Sequence, residues 1–170
     1  MNQGPAKPEN FQEVRSKMKT FESILIKHPF FENLEDTYLK LITGCAANVK
    51  FDAGQFINRH GEEANEFYIL REGKVALEVC PPGKELVTVQ TVNEGEILGW
   101  EWLEDPFRWH FDAQATEMTR AIVLDGKCLR GKCEKDTNLG YELLKRLLPV
   151  IGRTMEATRL QLVDVYGKEE

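Results

Sequence analysis

The stretch GEILGWEWLEDPFRWHFDAQA, residues 95–115, decides how the rest of the chain is read. It opens with Gly95-Glu96, carries a second glycine at Gly99, turns at Asp105-Pro106 and sets Arg108 just before an apolar-alternating run. Upstream, residues 51–57, 66–70, 74–79 and 86–89 are short apolar or alternating segments. Turn residues separate them at Asp52-Ala53-Gly54, Arg71-Glu72-Gly73, Pro81-Pro82-Gly83 and Asn93-Glu94-Gly95. Downstream, further strands are expected over 111–117 and 119–124. Short, regularly spaced strands with glycine at the corners predict a mainly β sandwich or jelly roll with flanking helices.

The first helix is read from Phe11, Val14, Met18, Phe21 and Leu25, spaced three and four apart behind Asn10 as a plausible cap and ending before Pro29. His28 reads as a helix-end residue. A second helix is expected over 34–43, with Leu34, Tyr38, Leu41 and Ile42 turned to a core and Gly44 as its stop. Residues 1–10 carry Gly4, Pro5 and Pro8 with few apolar groups and are expected to be disordered. The expected organisation is a disordered start and helix over 1–28, a β-roll over 29–134 and a C-terminal dimerisation helix over 135–170.

That last helix carries two apolar rows. Leu144, Leu148, Ile151, Met155, Thr158, Leu162 and Val165 alternate in spacings of four and three, the seam of a coiled coil. Leu139, Leu143, Leu147 and Val150 lie on a neighbouring face and are expected to pack on the roll. A parallel homodimer through the first row is therefore predicted, with a bend near Lys145 caused by Pro149.

A 170-residue chain that is 42% hydrophobic and 29% charged has ordinary globular composition, and one domain is the default. Its formal charge of -6 argues against a broad DNA-binding surface. Neither a membrane-spanning run nor a signal-peptide core is evident, so a cytoplasmic protein is expected. Cys45, Cys80, Cys128 and Cys133 form no CxxC pair, which speaks against zinc and iron-sulfur sites and favours small buried thiols. No catalytic motif is found, and no enzyme is expected.

The order of parts in 95–115, together with corner glycines at Gly54, Gly61, Gly73, Gly95 and Gly99, resembles the cyclic-nucleotide-binding domain, the sensor module of Crp/Fnr regulators. The resemblance runs from about residue 28 to 167. It implies a double-stranded β-helix with residues 95–115 as its phosphate-binding cassette. In the family, a glutamate after the second glycine bonds the ribose and a later arginine neutralises the cyclic phosphate. Those positions hold Trp100 and Trp109 here, while Glu101 and Arg108 each miss by one residue. Gly99, Trp100, Glu101, Arg108, Trp109 and His110 are the candidate ligand residues of a degenerate cassette.

No cofactor is expected, and a cyclic nucleotide is disfavoured. The family's DNA-reading domain would follow the long helix, and the sequence ends there, so a stand-alone sensor or interaction module is expected. Its partners would be a second copy, an unidentified protein, or a small nucleotide-like ligand. A functional cyclic-nucleotide or atypical-ligand sensor is one alternative. The other is a metal-dependent enzyme, since Gly54, His60, Glu62, Glu66 and Gly73 resemble the first metal motif of cupins, with His110 the sole downstream histidine.

Overall fold

The computed structural model describes residues 11–166 except 82, 84 and 85, and the side chains of 11–15, 17, 18 and 161–166 lie outside the description. The expected disorder of 1–10, the Asn10 cap, the core roles of Phe11, Val14 and Met18, and the seam roles of Leu162 and Val165 thus fall outside the described residues. The chain divides into two compact units, residues 1–44 and 45–170.

In the first unit, α1 (Phe11–Leu25) is followed by a 3₁₀ turn (Pro29–Phe31) and by α2 (Asp36–Thr43). His28 starts the turn, its Nδ1 accepting from the Phe30 amide at 3.2 Å. Phe30 and Phe31 meet edge to face at 4.9 Å. α2 begins two residues later than the predicted span and ends at Gly44.

The second unit holds eight strands: β1 (Ala46–Phe51), β2 (Phe56–Asn58), β3 (Glu66–Glu72), β4 (Lys74–Val79), β5 (Val87–Asn93), β6 (Ile97–Leu98), β7 (Asp112–Ala115) and β8 (Thr119–Asp125). They form two four-stranded sheets, β1-β8-β3-β6 and β2-β7-β4-β5, with antiparallel pairing throughout. This is the predicted jelly roll. The first strand departs from expectation: it runs back from Phe51 to Ala46, where a polar outer face hid it from a search for apolar runs.

Side chains alternate across β3, so Tyr68 and Leu70 join the inner core with Val75, Leu77, Leu98, Ala113 and Ala121. Phe67 and Ile69 on its other face are buried as well. That face is covered by α3 (Gly126–Lys135), which packs on β3 and β8 and buries Leu129. The Asp125 carboxylate caps α3 by accepting from the Cys128 amide at 2.8 Å.

A Cys45–Cys128 disulfide fastens α3 to the entrance of β1, with Cα atoms 5.9 Å apart. The expectation of four reduced thiols is corrected here. A sequence separation of 83 residues hid the pairing, which only the closing of β1 on β8 brings about.

The last helix, α4 (Thr137–Tyr166), is continuous through Pro149. Leu139, Leu143 and Leu147 are fully buried, as the second apolar row predicts, while Val150 is half-buried. Leu144, Leu148 and Met155 of the first row stand exposed, Leu148 at 58% and Met155 at 62%. Among the described residues no helix is long and apolar enough to cross a membrane.

At the β3–β4 corner, Gly73 has φ +93°, and an added Cβ would lie 2.5 Å from Thr119 Oγ1 and 2.6 Å from the Met118 carbonyl oxygen. Backbone strain and overlap act together there, so Gly73→Ala is expected to lower stability by more than about 2 kcal/mol, read as a fall in urea midpoint at unchanged slope.

Candidate functional site: the 95–115 loop

After β6 the chain passes Gly99, makes a 3₁₀ turn over Glu101–Leu103, crosses a cis Asp105-Pro106 bond and returns through Phe107 at φ +56°. Its returning limb pairs with residues 61–64. The Ala64 amide donates to the Phe107 carbonyl at 2.7 Å, the Trp109 amide to the Glu62 carbonyl at 3.0 Å, and the Gly61 amide to the Trp109 carbonyl at 2.8 Å. A Glu63–Arg108 bridge completes the ladder.

Paired backbone forces side chains to opposite faces in turn, and this ladder fixes the alternation. Arg108 is turned to solvent, where its guanidinium donates to the Gly61 carbonyl at 3.2 Å. Its charge also helps hold the exposed Glu63 carboxyl below its ordinary value, after the larger effects of Asn65 and Lys127. Trp109 points inward and His110 outward again.

Trp109 is only 3% exposed and belongs to the inner core between the sheets. Its ring stacks on Tyr68 at 6.4 Å. It also lies across the Gly99 Cα: a Cβ built there would come within 2.6 Å of the indole and 2.9 Å of the Glu66 carbonyl oxygen. Gly99, with φ +94°, is therefore required both for its backbone and for the indole above it.

Trp100, half-buried, meets the His110 ring edge to face at 5.2 Å. The His110 Nε2 lies 3.2 Å from Glu104 Oε2 and its Nδ1 4.0 Å from Glu101 Oε1. Glu101 itself is 4% exposed. Burial pushes its carboxyl above the ordinary 4.5, against the pull of its own amide, the His110 ring and the His110 amide. The six predicted residues are thus neighbours in one loop, with Gly99, Glu101 and Trp109 buried and Arg108 on the outside.

Trp102 and Arg130 hold this loop from behind, and sequence reasoning missed the second. Trp102 is fully buried beside Phe67, with its Cβ against Gly126, where an added methyl would lie 2.9 Å away. From α3, Arg130 donates to the Trp102 carbonyl, bonds Asn65 Oδ1 at 3.1 Å and sets its guanidinium 4.3 Å from the Phe107 ring. An arginine 28 residues downstream in a polar helix offers no local signal for that role.

The cupin-like residues do not converge: the His60 amide is bound to Asp112, Glu62 accepts from the Arg59 amide, and Glu66 lies on β3. Among the described residues no group of three or more His, Cys, Asp and Glu side chains is placed to hold a metal.

An eight-stranded jelly roll with a loop of this build between its sixth and seventh strands defines a class, the cyclic-nucleotide-binding roll. The family model of the cyclic nucleotide-binding domain matches residues 48–136, over half of the chain, and the chain belongs to that family. A solved structure from Geobacter metallireducens GS-15, described as a cyclic nucleotide-binding protein, superposes with a TM-score of 0.71 at 26% identity, covering 79% of this chain and 97% of that one.

The CRP-like cAMP-activated global transcriptional regulator of Mycobacterium tuberculosis is 25% identical over 85% of this chain and 62% of its own. Human cGMP-dependent protein kinase 2 is 28% identical over 51% of this chain and 11% of its own. The chain thus spans between 11% and 62% of the curated relatives it matches. Fold, loop position and family agree with the resemblance read from the cassette and the corner glycines.

Two outcomes test the loop's energetics. Trp109→Ala is expected to lower stability by about 3–5 kcal/mol in urea unfolding, because the core loses a large buried ring and is left with a cavity. Glu101→Gln acts oppositely. The folded carboxyl keeps its proton to higher pH than the unfolded one, so ionisation subtracts from stability as pH rises through 4.5. The variant is expected to raise the urea midpoint near about pH 7.5, with the gain fading towards about pH 4.

Proposed function

We propose that this chain is a regulatory module of the cyclic-nucleotide-binding family that does not bind cyclic AMP or cyclic GMP tightly, and acts instead through protein contacts. The observation that carries the reading is Trp109, seated in the core against Gly99 and Tyr68, at the position that the sequence resemblance gives to the family's phosphate-binding arginine. Trp100 stands at the glutamate position, and Arg108 faces outward. Charge-assisted hydrogen bonds contribute about 1.5–3 kcal/mol each, so the loss of both anchors lowers affinity by about two to four decades.

The exposed row of Leu144, Leu148 and Met155 supports a homodimer through α4, continued by Ile151 and Thr158. The formal charge of -6 supports a module that makes no direct contact with DNA. The reading places it in the cytoplasm, without catalytic activity or cofactor. A second reading, an atypical small ligand held by Trp100, Glu101 and His110, draws on one observation: a buried carboxyl beside two partly exposed rings.

Thermal-shift titration with cyclic AMP and cyclic GMP to millimolar concentration is expected to leave the wild-type midpoint unmoved; a ligand at about 100 times its Kd would add about 2.7 kcal/mol. A micromolar response abolished by Arg108→Ala would overturn the first reading. A response to another nucleotide, lost in Glu101→Gln, would favour the second. Sedimentation equilibrium is expected to give a dimer that Leu148→Glu converts to monomer.

A further inference from the structure

α3 is a poor helix by its own sequence. It has ten residues, GKCLRGKCEK, with glycines at 126 and 131, and Leu129 is its one fully buried side chain. A segment of that length and composition has little helical tendency in isolation, so its place depends on what ties it down. Three ties are visible: the close seat of Gly126 on Trp102 and Asn65, the Arg130 bonds to Trp102 and Asn65, and the Cys45–Cys128 disulfide. Only the last is covalent. It closes on the first turn of the same helix whose Arg130 holds the 95–115 loop, and α4 follows directly after Asp136.

We propose that the Cys45–Cys128 disulfide is a redox-controlled clasp: oxidised, it holds α3 and with it the cassette loop; reduced, it lets both loosen while the β-roll stays folded. The partner is a dithiol reductant of the Cys-x-x-Cys class. One of its thiolates attacks Cys128 Sγ, the less buried of the two half-cystines, forming a mixed disulfide and expelling Cys45 as a thiolate that takes up a proton. Its second thiol then displaces Cys128 as a thiol. Two electrons pass to the protein, and the reductant leaves as a disulfide. The reverse exchange with an oxidised carrier of the same class re-forms the clasp. In a cytoplasmic setting, as the proposed function has it, disulfides that do form are chiefly transient or sensing ones. Cys80, exposed just past the end of β4, and Cys133, later on α3, lie outside the pair.

Hydrogen–deuterium exchange on the full chain, before and after a reduced dithiol protein and with alkylation to count thiols, reads the clasp directly. Reduction is expected to speed exchange of the amides in 126–135 and 100–108 about tenfold or more and to leave β4 unchanged. Cys45→Ser with Cys128→Ser should show the fast pattern with or without reductant, and Cys80→Ser should behave as wild type. In Arg130→Met the loop should already exchange fast, while 126–135 still responds to reduction.

Protection unchanged in a fully reduced protein would overturn the proposal, as would an equal loss throughout the roll, which marks a plain staple. A non-reducing peptide map lacking the Cys45–Cys128 pair would also overturn it. The wild-type comparison decides the matter even where a variant fails to fold. Because none of these measurements involves nucleotide or dimer formation, failure here is distinguishable from failure of the proposed function.

Discussion

The indole of Trp109 lying over the bare Cα of Gly99 joins the interior of the roll to the 95–115 loop. That contact needs a residue without a side chain on one strand exit and an inward-facing ring on the limb that returns. The inward facing is imposed by the hydrogen-bond ladder between 107–109 and 61–64, which also turns Arg108 outward. Apolar filling and the outward arginine are therefore one structural choice rather than two. A side chain exchanged at one place without a change of register cannot restore the other.

Behind the loop, the packing is polar as well as apolar. Arg130 satisfies the Trp102 carbonyl and Asn65 while lying over the Phe107 ring, so one guanidinium meets backbone, amide and aromatic face together. Gly126 brings the start of α3 close enough for that reach. At the other end of α3, a Cβ added at Gly140 of α4 would lie 3.3 Å from the Cys133 Cβ. Two glycines thus set the approach of a short helix to its neighbours at either end, and the apolar share of the work falls to Leu129.

How far the sequence reveals this structure depends on how local each signal is. Corner glycines, the apolar runs of β3 and β4 and the two rows of α4 declare themselves within a few residues, because apolar runs, helical period and turn chemistry are short-range properties. The buried row Leu139, Leu143 and Leu147 was separable from the exposed row of Leu144 and Leu148 by helical geometry alone. β1 was legible only in its last residue, since its polar outer positions dilute the pattern. The sequence sets the six candidate residues close together along the chain, yet which of them turns inward depends on backbone pairing with 61–64, a segment outside the eight strands. Arg130 and the Cys45–Cys128 pair arise from contacts across the fold, and no spacing in the chain encodes them.

The adjacency of Leu147 and Leu148 has a mechanical meaning. The fully buried side chains of α4 end at the first of these, and the helical backbone runs on to Tyr166. At about 1.5 Å per residue the outlying portion is about 28 Å long, so a five-degree tilt at its root carries the tip sideways by about 2.5 Å. A small shift in the packing around three buried leucines is thereby magnified at the far end, as by a pointer on a dial.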